Sequence, residues 1–194
     1  MKLYAVIFSA FGLLPLSLSA QPAVECRDLS IDLQSESLPV IRHSPEFVIH
    51  LSDGHEMLLS SLRGKVVALM FVHTGCRLCQ RGSQIFTKLY AEYGSRGFEP
   101  IEVAFNADAG KQVRDFVTRF GITYPVGYST PDEVVAYLDR PQNLRYHIPQ
   151  IVWIDRNGDI RAETPQRGGT EVVDEAYWRS TIEMLVLDPE HATD

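Results

Sequence analysis

Residues 66–72, Val-Val-Ala-Leu-Met-Phe-Val, form an unbroken apolar run that passes almost at once into Cys76-Arg77-Leu78-Cys79 and a helical pattern. No other segment constrains the fold as tightly. A run of β-branched and aromatic residues with no polar position reads as a strand buried on both faces, and such strands sit in sheets covered by helices. Ile85, Phe86, Leu89, Tyr90 and Tyr93 then recur on one helical face, and Gly94 and Gly97 end the segment. The two cysteines therefore open a helix that follows a buried strand. Two thiols on a first turn can close a disulfide, and the outer one lies among unpaired backbone N–H groups that favour a thiolate.

The same spacing also serves zinc sites and haem attachment. Zinc would want a second ligand pair, but Cys26 is the only other cysteine. Haem attachment would want His directly after Cys79, where Gln80 stands. Two incidental buried thiols remain the plain alternative to a redox pair.

The beginning of the chain bears on where such a pair would work. Lys2 precedes an uncharged apolar stretch, residues 3–18, and Ser17-Leu18-Ser19-Ala20 offers small residues for cleavage, so residues 1–20 read as a secretory signal peptide. About 16 apolar residues is short for a membrane span, which needs about 20, so a membrane association is expected only if this segment is not cleaved. Glu25 before Cys26 argues against lipid attachment. Export across the cytoplasmic membrane, to a periplasmic location, places the thiols where disulfides persist, so the pair needs a redox partner.

About 174 residues would remain, enough for one domain. With 45% hydrophobic and 22% charged residues, the composition is that of an ordinary globular chain. The formal charge of -7, with no Lys/Arg run, excludes the electrostatic footprint of a nucleic-acid-binding protein. The domain layout is read as a linker and N-terminal arm over 21–44, a folded domain over 45–188 and a tail over 189–194. Cys26, alone in the polar arm, is read as an unpaired or intermolecular thiol.

Within the domain, Ser52-Asp53-Gly54 between two apolar pieces predicts a hairpin, and Asn157-Gly158 predicts another between 150–155 and 160–163. Residues 98–105 read as a strand. The stripe Val113, Phe116, Val117 and Phe120, stopped by Gly121, reads as a helix. Residues 124–127 form a short extended piece, residues 131–138 a helix with Pro in its first turn, and residues 170–187 the last helix. Alternating strands and helices imply a mixed central sheet covered on both faces.

These residues carry a family resemblance. Ser44-Pro45-Glu46-Phe47, Asp53-Gly54, the run Leu62-Arg63-Gly64-Lys65-Val66-Val67, Cys76 to Cys79, Ile148-Pro149 and the run from Trp153 to Ile160 together resemble the thioredoxin-like superfamily. Within it the chain is most similar to exported TlpA/ResA-type thiol-disulfide oxidoreductases and the AhpC/TSA (redoxin) grouping. The resemblance implies an α/β, three-layer thioredoxin-like fold with a mixed central β-sheet flanked by helices and an N-terminal β-hairpin extension. It implies Cys76 as nucleophile, Cys79 as resolving thiol and Pro149 as a cis-proline facing them. The Ile148-Pro149 loop would then be a docking surface for an extended substrate segment. It also implies no cofactor and no metal; the partners would be cysteine-containing exported proteins and a redox partner protein.

Several positions depart from the pattern. Gly75 stands where an aromatic residue usually precedes the first cysteine, and Leu78 stands where thioredoxins have Pro. Met70 occupies the position of thioredoxin's buried Asp, so deprotonation of Cys79 must rely on water or another group, with His73 and Glu102 as candidates. Arg77, one residue from Cys76, is expected to favour the thiolate and so make the pair more oxidising, though it could equally be a solvated cation. A peroxiredoxin-like peroxidase is one alternative function, but the Pro-x-x-x-Thr-x-x-Cys loop is absent. A copper-binding or metallochaperone role, using the two thiols and a residue such as His147, is another. Copper carriers of this superfamily usually space their cysteines by three residues.

Overall fold

The computed structural model describes residues 38–141, 147–165 and 173–187. Its organising element is strand β4 (Val66–Val72), in which every residue is buried. Seven strands surround it: β1 (Arg42–His43), β2 (Val48–Leu51), β3 (Glu56–Leu58), β5 (Phe98–Ala104), β6 (Val126–Tyr128), β7 (Gln150–Ile154) and β8 (Asp159–Glu163). The sheet order is β1-β8-β7-β4-β5-β6-β2-β3. Strand β4 runs parallel to β5 on one side and antiparallel to β7 on the other, so the sheet is mixed, as the alternating pattern predicts.

Among the described residues four helices cover the sheet: α1 (Arg77–Tyr93), α2 (Ala109–Phe120), α3 (Pro131–Tyr137) and α4 (Glu175–Leu187). The period-two alternation of β4 divides the core in two. Val66, Ala68, Met70 and Val72 pack with Phe86 and Leu89 of α1, Val113 and Phe116 of α2, and Trp178 and Ile182 of α4. Val67, Leu69 and Phe71 face the other way, onto Phe47, Val134 and Tyr137. Helix α1 comes close to the sheet at Gly82, where a Cβ would lie 3.2 Å from the Trp178 ring and 3.3 Å from the Met70 sulfur.

Local chemistry sets the element ends. Thr130 and Glu133 form a reciprocal capping box at the start of α3. The expected 52–54 hairpin is β2–β3, turning at Gly54 with φ +89°. Its second strand ends at Leu58 because Leu59 already begins a 3-10 turn, residues Leu59–Leu62. The expected last helix begins later than residue 170: Asp174 accepts the Ala176 and Tyr177 N–H groups, which makes it the cap of α4. Residues 170–172 lie outside the described residues, as do the expected signal segment, Cys26 and the tail. The end of the expected arm is ordered against the sheet edge, with Arg42 and His43 in register with Ile160 and Asp159.

The β2–β3 hairpin joins the sheet through the pair Leu51–Gly127. A Cβ at Gly127 would lie 2.3 Å from Ile49 Cγ2 and 2.7 Å from the His50 carbonyl oxygen, so backbone as well as side chain would have to move. Gly127→Ala is therefore expected to destabilise the domain by about 1–3 kcal/mol, read as a lower urea midpoint with an unchanged slope. A midpoint equal to wild type would contradict the seating of the hairpin on β6.

Candidate active site

The end of β4 delivers the two cysteines. After Val72 the chain turns, the Cys76 N–H donating to the His73 carbonyl at 3.0 Å, and α1 begins. Cys76 is the N-cap, with φ -80° and ψ 120°, and its sulfur accepts the Cys79 N–H at 3.3 Å. A sulfur thus fills the capping position that Ser or Asp usually fills. Cys76 is partly exposed, whereas Cys79 is fully buried, and both are free thiols.

The antiparallel neighbour β7 delivers the second part. The Ile148–Pro149 peptide bond, just before β7, is cis, and the Ile148 carbonyl lies 4.0 Å from the Cys76 sulfur. Pro149 is buried, Ile148 half-buried and His147 exposed. Gln150, itself buried, donates from its side chain to the His147 carbonyl at 2.6 Å and so braces the loop. The structure therefore brings Cys76, Cys79 and the Ile148–Pro149 loop together. Arg77 and Leu78 are exposed beside them. A side chain at Gly75 would meet nothing within 4 Å, so the approach to Cys76 is open on that side.

Residues that the sequence pattern did not reveal fix the loop before Cys76. The Thr74 N–H donates to Asn106 Oδ1 at 2.9 Å, its hydroxyl donates to Gln112, and Gln80 Nε2 donates to the Thr74 carbonyl at 2.9 Å. A groove of about 280 Å³ opens between this loop and α2, with Asp115 and Arg119 in its wall. Nothing in the spacing of these polar residues marks them before the fold brings them together.

Burial is the first cause pushing the Cys79 thiol far above its usual range, followed by its hydrogen bond with Cys76. The His73 backbone N–H opposes this by donating to the sulfur, and the charge of Glu102 adds to the upward push. Glu102 itself is completely buried on β5. Ser83 donates to its Oε2 at 3.0 Å and Tyr124 donates to its Oε1. Burial pushes the Glu102 carboxyl up to about 7, against those two hydrogen bonds. His73 is pushed down by burial and packs its ring edge-on to Phe105, with centroids 4.5 Å apart.

The Redoxin family profile matches residues 41–176. The chain belongs to the Redoxin family. It is 36% identical over 120 residues to the thiol-disulfide oxidoreductase ResA of Geobacillus kaustophilus, covering 61% of this chain and 64% of that one. It is 30% identical over 127 residues to the ResA of Bacillus thuringiensis, covering 64% and 69%. The chain thus spans somewhat under two thirds of the length of the Geobacillus relative. The fold is thioredoxin-like: a thiol:disulfide interchange protein of the thioredoxin family from Chlorobium tepidum superposes with a TM-score of 0.63 at 23% identity, over 75% of this chain and 96% of that one.

The buried carboxyl has a thermodynamic signature. Between about pH 4.5, the ordinary value, and about 7 the folded state keeps the Glu102 proton that the unfolded chain releases. Unfolding is then favoured as pH rises, and the cost reaches about 3 kcal/mol above pH 7. Glu102→Gln removes this titration, so the stability of that variant should fall less between pH 5 and 7.5 in urea titrations at fixed temperature. Parallel pH curves for variant and wild type would contradict a buried, titrating Glu102.

Proposed function

We propose that this redoxin is an extracytoplasmic thiol-disulfide oxidoreductase that exchanges electrons with cysteines of exported proteins. One observation carries the reading: a partly exposed thiol at a helix N-cap faces the Ile148 carbonyl, with a buried second thiol one turn behind it. The kinship with ResA proteins, named as thiol-disulfide oxidoreductases, supports it. Export rests on the apolar leader at residues 1–20, with residues 21–44 as linker and arm and 45–188 as the catalytic domain.

In this reading the Cys76 thiolate attacks one sulfur of a substrate disulfide, and the other substrate sulfur leaves as a thiolate. The Cys79 thiolate then attacks the Cys76 sulfur, expels the second substrate thiolate and closes the Cys76–Cys79 disulfide. Two electrons pass to the substrate, and a partner of lower potential restores the dithiol. An extended substrate segment would lie along the Ile148–Pro149 loop, whose carbonyl already faces Cys76. The exposure difference between the thiols supports the division of labour, because only Cys76 is open to a protein-sized disulfide.

Removing the resolver should stall exchange after its first step. Cys79→Ser is expected to accumulate mixed disulfides with cysteine-containing exported proteins, released by dithiothreitol, and Cys76→Ser almost none. Absence of adducts with Cys79→Ser, together with no turnover of a model disulfide by wild type, would refute the assignment. Arg77 is the tuning residue in this reading. Arg77→Glu places a negative charge beside the reduced site, so the disulfide should become harder to reduce, by on the order of 20 mV at low salt, with the shift shrinking as salt is added. Equilibration against glutathione measures it, and an unchanged potential would show Arg77 to be only solvated.

A further inference from the structure

Resolution needs a thiolate at Cys79, and the structure makes that thiolate costly. The residue is fully buried, and the neighbouring charges that act on its thiol, those of Cys76 and Glu102, both push it up. His73 and Glu102 are the side chains near it that could take the proton. His73 meets Cys79 through its backbone N–H, while its ring packs on Phe105.

Two acids share strand β5, and they differ in kind. Glu99 forms an ion pair with Lys65 at 2.6 Å. Glu102, facing the opposite side of the sheet, forms no ion pair among the described residues and is held only by two hydroxyls. Such a carboxylate is costly to bury and keeps its basicity. Its register partner on β4 is Met70, and the helix face above carries Cys79 and Ser83, one turn apart. Ser83 Oγ stands 2.9 Å from the Cys79 carbonyl oxygen and 3.0 Å from Glu102 Oε2, tying the carboxylate to the residue whose thiol must ionise.

The hydroxyl pair also accommodates a proton. With Glu102 ionised, Ser83 and Tyr124 both donate to it. With Glu102 protonated, its O–H donates to Ser83 Oγ, the Ser83 hydrogen turns to the Cys79 carbonyl, and Tyr124 continues to donate to the other oxygen. No buried group is left unsatisfied in either state. Tyr124 remains a donor, because burial and then the charge of Glu102 push its hydroxyl well up. The titratable neighbours are Cys79 of α1 and Tyr124 before β6. Met70 of β4 and Val126 of β6, in register on either side, carry no charge, and α2 presents Val113 and Phe116 to the same core.

We propose that Glu102, supplied by the strand beside β4, is the proton acceptor for Cys79 in the resolving step, a role that rests on the oxidoreductase reading above. The Cys79 proton passes to the Glu102 carboxylate as the thiolate attacks the Cys76 sulfur. The Cys76–substrate S–S bond breaks, the leaving thiolate is protonated from solvent, and Glu102 returns its proton to solvent.

The test follows the two steps separately. Reduced protein mixed with 2,2′-dithiodipyridine releases one thiopyridone when Cys76 attacks and a second when Cys79 resolves. In wild type the second phase should rise with pH and inflect near the Glu102 value of about 7. Glu102→Gln should leave the first phase unchanged, slow the second at least about tenfold near pH 8 and abolish the inflection. Tyr124→Phe removes a hydrogen bond to the ionised carboxylate, so it should keep the inflection but move it to higher pH; this variant decides the matter if Glu102→Gln does not fold. A second phase identical to wild type in Glu102→Gln, or an inflection unmoved in Tyr124→Phe, overturns the proposal while leaving the oxidoreductase reading intact. Absence of the first phase in wild type would instead overturn that reading.

Discussion

The double-sided pairing of β4 is the constraint on which the rest of the structure depends. Its parallel partner β5 and antiparallel partner β7 leave its end flanked by two different segments. From β4 itself issues the turn that carries Cys76 into the cap of α1. From the start of β7 comes the Ile148–Pro149 loop. A strand with no exposed residue cannot slip by one position without turning both core faces inside out. The spacing between the Cys76 sulfur and the Ile148 carbonyl is therefore held by the same apolar contacts that hold the fold.

The chemistry of the site follows from unequal burial. One cysteine lies partly exposed at a helix start, and the other lies a turn deeper in the core cluster that also holds Phe86, Met70 and Trp178. The deep thiol is kept neutral by its surroundings, and the only carboxyl on that side of β5 is kept basic by the same surroundings. Two groups that resist charge, both fully buried, can exchange a proton at less cost than either could ionise alone. Glu99, three residues away on the other face, differs in having the Lys65 ammonium as its partner.

Much of this was legible in the sequence because it rests on local patterns. The apolar run 66–72, the helical stripe after it and the two Gly-containing turns each announce their element through periodicity or turn chemistry. The dithiol announced itself by spacing, and Pro149 by resemblance to a known family. The α4 start escaped because apolar Val172 and Val173 continue the stripe before the Asp174 cap. The Thr74–Asn106–Gln112 brace escaped because its members lie on three separate segments. Glu102 left a faint trace, an acid inside a largely apolar strand, but its having no cation partner among the described residues is a property of the assembled core. The same holds for Ser83, which reads as one more polar helix residue until Tyr124 and β5 are placed beside it.

The capping role of the Cys76 sulfur joins two properties that proteins usually keep apart. The atom that would exchange electrons is also the atom that terminates α1, by accepting the Cys79 N–H. An anionic sulfur accepts that hydrogen bond more strongly than a neutral one bonded to a second sulfur. In the proposed reaction the helix would be anchored most firmly with the site reduced and ionised, and less firmly with Cys76 in a mixed disulfide. That is the state in which Cys79, the donor of the same bond, would attack in the proposed resolving step. On the proposed reading, the stiffness of one helical turn would follow the redox state of the site.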